Sequence, residues 1–127
     1  MVILLKIKYS SQKLENICTD AKKASKYFGG NQLLVVALLS KINALKNAET
    51  LKDIIALPTM HFHSLKNKGK RNNLLGFYAI DIKGRTEPWR LILQPLNEDE
   101  TPNLSKQIED IKMTKIIFVE EVSKHYE

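Results

Sequence analysis

The hydrophobic period of this chain changes at Pro58, and that change limits its fold more than any other feature. Upstream, Leu14, Ile17, Cys18, Ala21, Ala24 and Phe28 recur at helical spacing, and Leu34, Leu38, Ile42 and Leu45 do so again. Residues spaced in this way line one stripe of a helix. Downstream, aromatic and β-branched residues gather in short runs: His61 to Leu65, Leu74 to Ile82, Trp89 to Leu96 and Met113 to Val122. These have the length and composition of strands. In the second run Phe77, Ala79 and Asp81 fall on one face, with Tyr78, Ile80 and Ile82 on the other.

The residues between the runs agree with this division. Serines at 10 and 11 turn the chain and cap a first helix, Gly29 and Gly30 stop it, and Asn31 caps a second. Thr50 followed by Asp53 has the spacing of a capping box, so a further helical turn or two runs to Ala56 before Pro58 ends it. Val2 to Ile7 forms a short apolar first strand, expected to be central or half-buried. NEDETPN is an acidic loop, with a short helical turn near Ser105 to Asp110. The expected fold is α+β, an N-terminal helical hairpin packed on one face of a small, twisted, mainly antiparallel sheet of four or five strands. A chain of 127 residues supports one core, so residues 1–127 are expected to form a single domain.

Several function classes recede on composition. Cys18 is the only cysteine, which excludes an internal disulfide and fits a cytoplasmic protein. It lies on the apolar helix stripe, where a thiol is a buried packing group and not a nucleophile. The opening MVILLKIK is too short to span a membrane and lacks the order of a secretory signal. His61, His63 and His125 show no spaced metal motif, and no glycine-rich nucleotide cradle is present. Neither a metal nor a cofactor is expected.

The formal net charge is +6, and its source is local. Between residues 61 and 90, Lys66, Lys68, Lys70, Arg71, Lys83, Arg85 and Arg90 face only Asp81 and Glu87. A basic, glycine-containing loop directly before two aromatic strands is the composition of an RNA-handling surface. Gly69 lets the chain turn so that Lys66, Lys68 and Lys70 can gather around a phosphate, and Arg71 and Arg85 extend the charge. Arg90 lies between Trp89 and Leu91; with those two facing the core, it projects from the open face. There it either holds a phosphate or pairs with Asp81 or Glu87. His125 titrates near neutrality and suits proton transfer, against the alternative of an ordinary surface histidine. Tyr126 is either a stacking platform for a base or a cover for the core edge. His61 and His63 share one strand face, where they meet RNA or, on the simpler structural reading, bracket a buried Phe62. Tyr78 and Trp89 read as packing residues.

His63, Leu65 and Lys66 before the basic loop, GKR at Gly69 to Arg71, the strand GFYAIDI, the run WRLILQP and the terminal VEEVSKHYE together resemble a known family. It is the RelE/ParE superfamily of bacterial toxin–antitoxin systems, and especially its HigB-like killer proteins. The likeness runs along nearly the whole chain. It implies a RelE-like fold and a messenger-RNA interferase that cuts in the ribosomal A site. It also implies a small inhibitory antitoxin, often a helix-turn-helix protein of HigA type. For such chemistry the residues read as follows: Arg90 holds the scissile phosphate, Arg71 and Lys68 complete a cationic wall, and His125 is the leading acid or base, with the lysines of the 66 to 70 loop or Tyr126 next. Lys66, Lys68, Lys70, Arg71 and Arg85 contact RNA. The expected chemistry is metal-free attack by the 2′-hydroxyl. The turn is longer here than in the compact family form, Asp81 stands where some members have arginine, and the His125–Tyr126 order is reversed. A non-catalytic RNA- or ribosome-binding module and a gyrase-poisoning toxin of the same superfamily are the alternative readings.

Overall fold

The protein, seen in a computed structural model that describes residues 2–65 and 75–124, has a mixed α+β fold. In chain order its elements are β1 (Lys6–Tyr9), α1 (Gln12–Thr19), α2 (Ala21–Tyr27), α3 (Gln32–Lys46), α4 (Leu51–Ile55), a 3-10 turn (Pro58–Met60), β2 (His63–Ser64), β3 (Tyr78–Asp81), β4 (Arg90–Leu96), α5 (Ile108–Lys112) and β5 (Ile116–Ser123). The five strands form one sheet in the order β1-β5-β4-β3-β2. β1 runs parallel to β5, and the other three pairings are antiparallel. Several N-terminal helices pack against this sheet, as the change of period at Pro58 requires.

Two expectations need correction. The first helical arm is two helices and not one, because Asp20 interrupts it. Its carboxylate accepts hydrogen bonds from the backbone N–H groups of Lys22 and Lys23 at 2.8 and 3.3 Å, which satisfies the open donors of a new helix start. The helical hairpin is therefore a set of four helices, α1 to α4. The first strand is at the sheet edge and not central, and half-buried as the other alternative had it; it begins at Lys6, and Val2, Ile3 and Leu4 are exposed. The caps at Ser11, Asn31 and Thr50 form as their sequence positions suggest. Gly29 and Gly30 end α2 with φ of +64° and +86°, values that L side chains adopt only under strain.

The main core lies between helices and sheet. Leu38, Ile42 and Leu45 of α3 meet Ile80, Leu91, Leu93, Ile117 and Val119 of the strands, all with almost no access to water. Each such side chain contributes roughly 1.5–3 kcal/mol through burial. On the opposite sheet face Leu65, Ala79 and Ile92 form a smaller cluster with Phe77. The alternation read from GFYAIDI is therefore present, with Ile80 and Ile82 toward the helices and Ala79 away from them.

Trp89 fixes the start of β4. It packs edge-on against Phe28 and Tyr27, with centroids at 5.0 and 5.7 Å, and the Tyr27 hydroxyl donates to the Val122 carbonyl at 2.6 Å. With Trp89 held on the helix side, strand geometry sends Arg90 to the other side.

Candidate active site

The register of β3 and β4 sets Asp81 directly opposite Arg90. Both are buried, at 1% and 9% exposure. A carboxylate so enclosed is stable only with partners. One oxygen, Oδ1, lies 3.1 Å from Arg90 Nε. The other, Oδ2, lies 3.0 Å from Nδ1 of His61.

Backbone geometry delivers His61 to this position. It follows the 3-10 turn at Pro58–Met60, with its N–H bonded to the Pro58 carbonyl and φ at +45°. Few residues other than glycine enter that left-handed region, and those that do often sit at functional positions. The bend turns the chain from the helical layer into β2. His63, two residues on, stacks on His61 with centroids 4.4 Å apart and 28° between planes. Its Nδ1 is 2.6 Å from the His61 carbonyl oxygen.

These contacts fix which ring nitrogens are open. A carbonyl only accepts, so His63 Nδ1 carries the hydrogen and Nε2 keeps a lone pair in the neutral ring. An ionised Asp81 also only accepts, which places the hydrogen of neutral His61 on Nδ1 and leaves its Nε2 as a base. Two adjacent imidazoles with Nε2 open can between them take one proton and give another.

Arg90 is tied to the backbone as well as to Asp81. Besides Asp81, its guanidinium donates to the backbone carbonyls of Glu87, of Trp89 at 2.9 Å and of Arg85 at 3.1 Å. Of the two roles that the sequence left open, the ion pair with Asp81 is present, and Glu87 is met at its carbonyl instead of its carboxylate. Arg90 leaves the helix side as expected, but the turn from Arg85 to Trp89 covers it.

A cavity of about 380 Å³ opens beside the histidine pair, with Arg85, Arg90 and Lys124 in its wall. A second opening of about 460 Å³ is also lined by His61, with Asp81, Lys41, Lys83 and Arg85. Arg85, Lys83 and Lys124 are exposed, so their charge faces solvent and attracts anions. Lys124 also lies 5.7 Å over the Trp89 ring.

Of the residues singled out from sequence, Arg85 and Arg90 come together here. Lys66, Lys68, Lys70, Arg71, His125 and Tyr126 lie outside the described residues. Phe62 stacks on Tyr78 at 4.8 Å, which bears out Tyr78 as a packing residue, while the two histidines beside Phe62 line the cavity. Asp81 and Lys124 were not anticipated as site residues. The one available signal was the His-x-His spacing, whose carboxylate partner comes from a different strand. The three residues His61, His63 and Asp81 each offer a metal-ligating atom, all within 4.8 Å of one another. Spacing along the chain does not disclose this cluster, because Asp81 is twenty residues from His61.

Comparison with protein-family models, with curated proteins and with solved structures gave no match.

Proposed function

We propose that this chain is the toxin of a type II toxin–antitoxin system, a HigB-like member of the RelE/ParE superfamily with a RelE-like fold. In this reading it is a ribosome-dependent endoribonuclease that cuts messenger RNA. The observation that supports it best is the His61–Asp81 contact at 3.0 Å beside a cavity walled by cations. Metal-free RNA cleavage needs a base for the 2′-hydroxyl, a donor for the leaving oxygen and positive charge at the phosphate. His61, oriented by Asp81, takes the 2′-hydroxyl proton at Nε2. The 2′-oxygen forms a bond to phosphorus, the bond to the 5′-oxygen breaks, and a protonated histidine returns a proton to that oxygen. His63 is the donor, with His125 the second candidate from the sequence. The products are a 2′,3′-cyclic phosphate and a 5′-hydroxyl. Arg85 and Lys124 reach the phosphate. Arg90 holds Asp81 and the Arg85–Trp89 turn in place, and adds its charge to the cavity wall. Lys66, Lys68, Lys70, Arg71 and Tyr126 enter from the sequence alone, and the ribosome and a helix-turn-helix antitoxin enter as partners through the resemblance. The ribosome supplies the alignment of the message that a small open site lacks.

The test is to incubate the purified protein with translating ribosomes and with the same message free in solution, then map the cut ends. Cuts on the ribosome-bound message ending in cyclic phosphate are expected. Ribosome binding without any cut would favour the non-catalytic module instead.

A further inference from the structure

We propose that His61, His63 and Asp81 form a binding site for a divalent transition-metal ion of the zinc and copper group. This goes beyond the RNA reading and does not require it. The ligating atoms of the three residues already lie within 4.8 Å of one another. His61 Nδ1 and Asp81 Oδ2 are 3.0 Å apart. Two donors bound to one zinc at about 2.0–2.2 Å each are separated by a similar span, so an ion replaces the Nδ1 proton with little movement. The displaced proton moves to Nε2, so His61 binds the ion as a neutral ring whose other nitrogen carries the hydrogen.

The surroundings orient the ligands. Arg90 Nε sits 3.1 Å from the second oxygen of Asp81, so the carboxylate presents Oδ2. His63 is held in its stack by the bond from Nδ1 to the His61 carbonyl, and its Nε2 is open. Partners of this kind, behind the ligands, set ring orientation in metal sites. Two imidazoles and one carboxylate leave further positions for water.

The chemistry selects the ion. Imidazole nitrogen favours zinc, copper and nickel, whereas magnesium and calcium require oxygen-rich sites. Arg85, Arg90 and Lys124 oppose any cation in this cavity. Their field rules in favour of ions whose bonding to nitrogen is strong, and it weakens binding for all ions. Proximity between His61 and His63 alone is common in strands; the buried carboxylate aimed at the pair is what distinguishes this cluster.

The experiment is calorimetric titration of the full chain with zinc chloride, and separately with magnesium chloride. One zinc per chain and no magnesium binding are expected. His61→Asn keeps a residue that tolerates positive φ, and His63→Ala removes the second ring. Each should weaken zinc binding by more than the roughly 10- to 100-fold that loss of an outer partner costs. In the unmodified chain, zinc should also protect both histidines from acylation by diethylpyrocarbonate, a readout that needs no variant to fold. Absence of saturable one-to-one binding, unchanged affinity in both variants, or no protection would each overturn the site. RNA cleavage by zinc-free protein is scored separately: cleavage without zinc binding sinks only the metal site, and zinc binding without cleavage sinks only the nuclease.

Discussion

Asp81 on β3 and Arg90 on β4 stand opposite each other and meet at 3.1 Å, nearly sealed from water. The contact is an ion pair without the alignment of a hydrogen bond. Removing one member of such a pair strands the other charge. Asp81→Ala is therefore expected to cost about 3–5 kcal/mol in urea unfolding. Asp81→Leu combined with Arg90→Met removes both charges and should cost much less. A double variant as unstable as the single one would show that the pair is not the source of the loss.

Arg85 and Lys124 line the cavity as exposed cations. Each phosphate contact releases counterions, so binding falls with salt in proportion to the number of contacts. Arg85→Gln and Lys124→Gln should each weaken RNA binding at low salt and lower the log–log salt slope by about one. Fluorescence anisotropy across a salt series checks this, and an unchanged slope would remove that residue from the interface.

Cys18 is 1% exposed, and burial pushes its thiol up to about 12 from an ordinary 9.0. Thiolate is the reactive form. In the folded protein Cys18 should resist iodoacetamide at pH 8 and react promptly once urea unfolds the chain. Rapid labelling under native conditions would contradict its place in the core.

Glu120 is the extra residue where the β4–β5 register shifts: Ile92 pairs with Glu121 and Leu93 with Val119. Burial, followed by the neighbouring Glu121, raises its carboxyl above the ordinary 4.5. The unfolded chain then loses this proton first, so stability falls as pH rises from the ordinary value through the raised one. Glu120→Gln should stabilise the protein near pH 7 by under about 1 kcal/mol, since the site is only partly enclosed. The gain should vanish below pH 4. Melting curves at the two pH values test the sign.

The outline of the fold was legible because periodicity and capping are local. Ser11, Asn31 and Thr50 cap where they were expected to, and Ile80 and Ile82 face the helices. The break at Asp20 was missed because an aspartate inside an apolar stripe has the same spacing whether it caps or continues a helix. The edge position of β1 was missed because its parallel pairing with β5 joins residues more than a hundred positions apart. The same reason hid most of the site. Arg90 was singled out, but its partner depends on the strand register, and the carboxylate facing His61 comes from twenty residues away. A backbone at φ +45° leaves no mark in a sequence when the residue is histidine.

The central claim is that His61, oriented by Asp81, is the base for RNA cleavage. The most direct measurement is the single-turnover cutting rate on translating ribosomes for the parent and for His61→Asn, in a chelator that removes zinc but leaves the ribosomal magnesium. A loss of about 10²- to 10⁴-fold with ribosome binding intact is the expected result. Cutting by His61→Asn at the parental rate would contradict it.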